Sequence, residues 1–120
     1  MLISEMCREA HRNSVEKGFW DGDGHTLPQL PKDISTFLTK LMLIVTEVAE
    51  AAEVLREWGH MREVSWVPEL HDRVHLAEEL ADILIRTADL AGALDLDLAG
   101  AVESKMHWNK SRPFLHGKLA

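Results

Sequence analysis

Apolar positions recur every three or four residues along the whole chain, and no segment shows the alternation over several residues that a half-buried strand requires. The pattern predicts an all-α fold of four helices. A first helix is expected from about Leu2 to Lys17, with Ile3, Met6, Cys7 and Ala10 on one side and Gly18 as its stop. The next segment, "GFWDGDGHTLPQLPKD", gathers three glycines, two prolines and three aspartates and reads as a loop. A second helix is expected to start near Asp33 or Ser35 and to end before Gly59. "HMREVSWVPEL" then connects it to a third, capped by Asp72 and running to about Leu94. Asp97 is placed to cap a fourth helix, which should end near Lys110 because Pro113 restricts Arg112 before it; "SRPFLHGKLA" trails as a tail. There is no internal repeat and no low-complexity segment, so residues 1–120 read as one domain.

The second helix carries a conflict. In "LMLIVTEVAEAAEVL", residues 41–55, eleven of fifteen residues are apolar, yet Glu47, Glu50 and Glu53 interrupt them. A carboxylate among apolar neighbours is costly unless something pairs with it. At about 100° per residue, Thr46, Glu50, Glu53 and Glu57 form one narrow stripe, and Glu47 sits at its edge beside Leu43, Ile44 and Ala51. The third helix repeats the design. His75, Glu78, Glu79, Asp82, Arg86 and Asp89 fall within roughly 100° of arc, and leucine, isoleucine and alanine fill most of the rest. Two arrangements fit these stripes. Both can be solvated faces of a bundle, with Arg86 an intrahelical partner for the acids around it. Alternatively they face each other, so that Glu47, Glu50, Glu79 and Asp82 converge and repel unless a cation sits among them. Mg²⁺ suits such a cluster, since hard cations take carboxylate oxygens and leave positions for water and phosphate.

Composition narrows the choice. A chain that is 46% hydrophobic and 28% charged is ordinary for a globular domain, and a net charge of −7 argues against binding a nucleic-acid polymer. The lone Cys7 cannot form an internal disulfide, and "MLISEMCREAHRNS" carries charges where a signal peptide would have its apolar stretch. No run approaches the roughly 20 apolar residues of a membrane span. A cytoplasmic protein without membrane attachment is expected. A di-iron bundle needs a Glu-x-x-His on each of two helices, whereas Glu57 to His60 is the only one and Gly59 interrupts it. His71 and His75 have the spacing of a zinc pair but lack the protease glutamate and an obvious third ligand. Neither a nucleophile elbow nor a phosphate-cradling glycine loop is present, so any bound phosphate must be held by metal and side chains. The chain end offers such side chains. Lys105, Asn109 and Arg112 continue one helical face, with Lys118 beyond the turn. Complementing a helix dipole accounts for Lys110 and Arg112 but less well for Asn109 or Lys118.

Glu47-x-x-Glu50, followed after 28 residues by Glu79-x-x-Asp82, resembles the metal signature of the MazG-like all-α nucleoside triphosphate pyrophosphohydrolases. "KGFWD", "KLMLIVTEVAEAAEVLR", "EELADILIR" and "KMHWNKSRPFLHGK" are similar to that family in kind and order, over nearly the whole chain. Two departures stand out. Many members carry a Glu-Glu pair where this chain has Thr46-Glu47, and the long spacer suggests an enlarged loop around Trp66. The resemblance implies hydrolysis of a nucleoside triphosphate, a deoxynucleotide or a non-standard one, to monophosphate and pyrophosphate, in nucleotide-pool housekeeping. It implies that Glu47, Glu50, Glu79 and Asp82 are catalytic and hold one or two Mg²⁺ ions, with Mn²⁺ as a substitute. Lys105 and Arg112 would then neutralise the polyphosphate, and Asn109 would hydrogen-bond sugar or base. Trp20 is either a base-stacking platform or a core anchor. Glu47 is favoured as the proton acceptor, because apolar neighbours raise a carboxyl pKa. The resemblance also implies a homo-oligomer, a homodimer or homotetramer, whose helices complete one bundle; the excess of apolar helix surface points the same way. Two other functions remain open: a phosphoribosyl-ATP pyrophosphohydrolase, and a non-catalytic helical interaction module.

Overall fold

The computed structural model describes residues 1–20, 34–61 and 69–117. Among them are four α-helices, α1 (Ile3–Glu16), α2 (Ile34–Met61), α3 (Leu70–Ala93) and α4 (Leu98–Ser111), followed by a 3-10 turn (Phe114–Gly117); no strand occurs among the described residues. The all-α expectation holds. The loop beyond Trp20, the enlarged loop around Trp66, the side chain of His60 and Lys118 lie outside the described residues.

Helix ends follow local chemistry, with two corrections. At the start of α1 the Glu5 carboxylate accepts a hydrogen bond from the Leu2 amide (3.1 Å). Gly18 ends the helix in a left-handed conformation (φ 84°) that favours glycine, and its amide donates to the Val15 carbonyl. Asp97 caps α4 as expected, its Oδ1 accepting from the Gly100 amide at 3.0 Å. Asp72, by contrast, is not the cap of α3. The cap is Glu69, and Asp72 is the third helical residue, whose carboxylate reaches back to the Glu69 amide at 3.1 Å. Nor does Gly59 end α2, which continues to Met61. A side chain at Gly59 would meet nothing within 4 Å, so glycine there costs only its backbone entropy, about 0.5–1 kcal/mol, while the adjacent Trp58 and Val54 are buried.

α3 is the axis of the molecule, with α1 and α2 packed on it and α4 resting against α1. Cys7 of α1 meets Ala88 and Ala91 of α3, with Ile3, Met6, Ala10 and Leu98 closing around them. Farther along, Val15, Trp20 and Ala93 form a second cluster with Phe37 and Leu90. The seam is tight because its residues are small. A Cβ on Gly92 would lie 2.5 Å from the Cys7 carbonyl oxygen and 2.7 Å from His11 Cβ. Elsewhere much apolar surface stays open, including Leu41, Met42, Val45, Val48 and Leu55 on α2 and Leu80, Leu84 and Ile85 on α3. Among the described residues no helix is long and apolar enough to cross a membrane.

Candidate functional site

α2 presents Glu47 and Glu50 one turn apart, and α3 presents Glu79 and Asp82 with the same spacing. Of the two arrangements open to the acidic stripes, the structure has the facing one at these residues. One carboxylate oxygen from each of Glu47, Glu50 and Glu79 lies within 4.8 Å of the other two. Asp82, exposed like Glu50, lines the same groove and contributes to the field at Glu50. The pKa of Glu50 is raised, first by the charge of Glu47 and then by a hydrogen bond shared with that carboxyl. Partial desolvation and the charges of Glu79 and Asp82 add to the shift.

Glu47 is the buried member, only 8% exposed. Its partner is Arg86, whose Nε donates to Glu47 Oε1 at 2.5 Å. This corrects the intrahelical role expected of Arg86, since the ion pair crosses from α3 to α2. Glu79 is left less well satisfied. Its Oε1 faces His75 Nε2 at 3.7 Å, while its Oε2 is buried with no hydrogen-bond partner. A buried carboxylate oxygen without a donor is destabilising by about 1–3 kcal/mol or more, and it marks a place where a cation would fit.

Glu47, Glu50 and Asp82 border a groove of about 700 Å³ that also takes in Arg86, Lys40, Lys17 and Asp89, and Glu79 adjoins it through its approach to Glu47 and Glu50. Trp20, the candidate stacking platform, is a core residue, 4% exposed. Its indole N–H donates to Asp89 Oδ1 at 2.9 Å, and His11 Nδ1 lies 2.9 Å from the same oxygen. The Lys40 ammonium sits 4.4 Å from the Trp20 ring centroid and donates to the Phe19 carbonyl. Sequence reasoning missed His11, Lys40 and Asp89 as a group. Asp89 was legible only as part of the acidic stripe of α3, and Lys40 left a signal by preceding Glu47 by seven residues and so sharing its face of α2. Lys105 and Asn109 are exposed on α4, Arg112 caps its end, and no α4 residue lines this groove. The structure thus gathers the four carboxylates and keeps the expected phosphate ligands apart from them within one chain. His71 stands beside Glu69 and Asp72, with its side chain 75% exposed, which is the solvated helix start and not a zinc pair.

Known proteins resemble the chain over part of its length. It is 39% identical over 79 residues to dCTP pyrophosphatase 1 of Rattus norvegicus, covering 63% of this chain and 45% of the relative. The Homo sapiens dCTP pyrophosphatase 1 is 40% identical over 75 residues, 60% of this chain and 42% of its own. The chain therefore spans less than half the length of these curated relatives. Their similarity agrees with the resemblance of the motifs to the MazG-like all-α pyrophosphohydrolases. No family model matches the chain, and no solved structure matches it.

Proposed function

We propose that this chain hydrolyses a nucleoside triphosphate, most simply a deoxynucleoside triphosphate such as dCTP, to the monophosphate and pyrophosphate. The reaction would take place in the groove lined by α1, α2 and α3, with Mg²⁺ or Mn²⁺ held by Glu47, Glu50, Glu79 and Asp82. One observation carries the reading. Carboxylate oxygens of Glu47, Glu50 and Glu79 converge within 4.8 Å beside the groove that Glu47 and Glu50 line, and Glu79 presents a buried Oε2 with no partner. Solvated stripes would diverge into water; convergence of like charges is unfavourable, and a cation among them would relieve it. When bound, Mg²⁺ would supply charge neutralisation at the phosphate oxygens and a lowered pKa for an attacking water.

The chain's own residues have separate tasks in this scheme. Glu50, with its raised pKa, accepts the proton of the attacking water more readily than an ordinary glutamate would. Lys40 and Arg86 bring positive charge to the groove wall from two different helices. Asp89, which lines the groove, is held from behind by Trp20 and His11, so Trp20 acts as a core anchor for a groove residue. Lys105, Asn109 and Arg112 reach phosphate and nucleoside only in a homo-oligomer, a dimer or tetramer, because α4 stands away from the groove of its own chain. The half-exposed leucines and valines of α2 and α3 supply the apolar surface for such an assembly. Its setting would be the cytoplasmic nucleotide pool.

The test is to incubate the protein with Mg²⁺ and a panel of ribo- and deoxynucleoside triphosphates plus phosphoribosyl-ATP, then identify the released anion. Pyrophosphate from a triphosphate, abolished by chelation, is the expected result. Release from phosphoribosyl-ATP alone would assign the related activity instead. Inertness toward the whole panel, with no Mg²⁺-dependent rise in melting temperature, would leave a helical interaction module.

A further inference from the structure

The cation that holds the acid cluster together in this chain is a side chain. Arg86 Nε bonds Glu47 Oε1 at 2.5 Å, although Arg86 belongs to the helix that supplies Glu79 and Asp82. Glu47 is nearly buried, whereas the Arg86 side chain is 38% exposed and lines the groove. The bond uses only Nε. Among the described residues the two terminal guanidinium nitrogens have no protein partner, which leaves the planar face best suited to phosphate unspent beside a cleft of about 700 Å³. The same Glu47 carboxylate converges with Glu50 and Glu79. A divalent ion and a guanidinium that share this carboxylate repel each other at contact distance, so occupancy by one weakens the hold of the other.

We propose that Arg86 is a phosphate-binding residue that stands in for the metal. It neutralises Glu47 while the carboxylates hold no divalent ion. When such an ion takes Glu47, the guanidinium is released to the triphosphate in the same groove. The inference rests on the pyrophosphohydrolase reading and deepens it. A long, flexible side chain on the helix that borders the groove makes the exchange without moving backbone. Loading would then be ordered: the metal frees the arginine, and the arginine completes the substrate site. An empty site would pair its own charges and bind free nucleotide poorly.

Arg86→Met and Arg86→Gln separate this from a strut that merely positions Glu47; the glutamine variant can still hydrogen-bond Glu47 if the methionine variant folds poorly. Two quantities are measured for each variant and for the unmodified chain. One is Mg²⁺ affinity without nucleotide, by calorimetry and by the Mg²⁺-induced rise in melting temperature. The other is affinity for the non-hydrolysable α,β-imido analogues of the four deoxynucleoside triphosphates in Mg²⁺. The expected result is tighter Mg²⁺ binding and a larger thermal shift in both variants, with about a tenfold loss of analogue affinity. Weaker or unchanged Mg²⁺ binding in a folded variant, or unchanged analogue affinity, would overturn the proposal. If the unmodified chain binds both ligands and the variants match it, only the role of Arg86 fails. If the unmodified chain binds neither, the pyrophosphohydrolase reading falls and the role of Arg86 falls with it.

Discussion

On the flank of α3 that meets α1, Ala88, Ala91 and Ala93 are buried and Gly92 lets two backbones come almost into contact. On the flank that meets α2, Glu79 and Asp82 face Glu47 and Glu50, and one carboxylate oxygen has no donor at all. One helix therefore carries both the best-packed seam and the least satisfied polar cluster of the described chain. The first flank stabilises the fold through close contact. The second flank opposes it, since like charges gathered at one place are held there by packing elsewhere. If that division is right, substitutions on the two flanks should separate stability from activity.

The largest expected effect is on the acidic flank. If the four acids hold the metal as proposed, Glu50→Gln or Asp82→Asn should lower pyrophosphate release by at least about a hundredfold, because each would remove a carboxylate oxygen from the metal set. The metal-free melting temperature should stay equal or rise as repulsion is relieved. Wild-type turnover in both variants would make the acids plain surface charges and erase the difference between the flanks.

Gly92→Ala is the converse probe. Overpacking the seam should destabilise the fold by about 1–3 kcal/mol, read by thermal or urea unfolding, with kcat per folded molecule unchanged at low temperature. A loss of kcat at full folding would mean that the seam sets the geometry of the acids. Next in size is Lys105→Ala, which lies on neither flank. It should lower kcat/KM about tenfold, or about 1.4 kcal/mol, if α4 serves phosphate. A helix-dipole role would instead lower the melting temperature slightly and spare the kinetics. Sedimentation equilibrium sharpens that result, because a stable 13.6 kDa monomer that still hydrolyses nucleotide would remove the need for a second copy.

The smallest effect is that of pH on the metal-free chain. The pKa of Glu50 is raised in the folded state, so the ionised form at neutral pH counts against folding. That penalty lifts as pH falls through the raised value toward the ordinary 4.5, and below it no further gain comes from this group. Stability should therefore rise slightly over that window, less in high salt because Glu50 is exposed, and the rise should vanish in saturating Mg²⁺.

Much of this was legible along the chain, for reasons that also mark the limit. Helical period gave the four elements, and Asp97 before an apolar turn gave the cap of α4. Asp72 was misplaced because a carboxylate at the third helical position satisfies the cap backward, and the two positions look alike in sequence. Gly59 was read as a stop, although the burial of Trp58 and Val54 outweighs one exposed glycine. The two acidic pairs could be found because each repeats on one helix face. What joins across helices could not: Arg86 sits among acids on its own face, and only the packing of α3 on α2 turns it to Glu47. His11 and Asp89 lie 78 positions apart, beyond the reach of any local pattern.

α4 is 14 residues long and has no buried side chain. Helices shorter than about 12–15 residues are marginal on their own, so its survival depends on what it leans against. In deuterated water its amides should therefore exchange well before those at the centre of α3, through openings that leave the rest of the fold intact. Raising the protein concentration should slow that exchange if a second copy covers α4, which makes the protection of one short helix a gauge of how many chains have met.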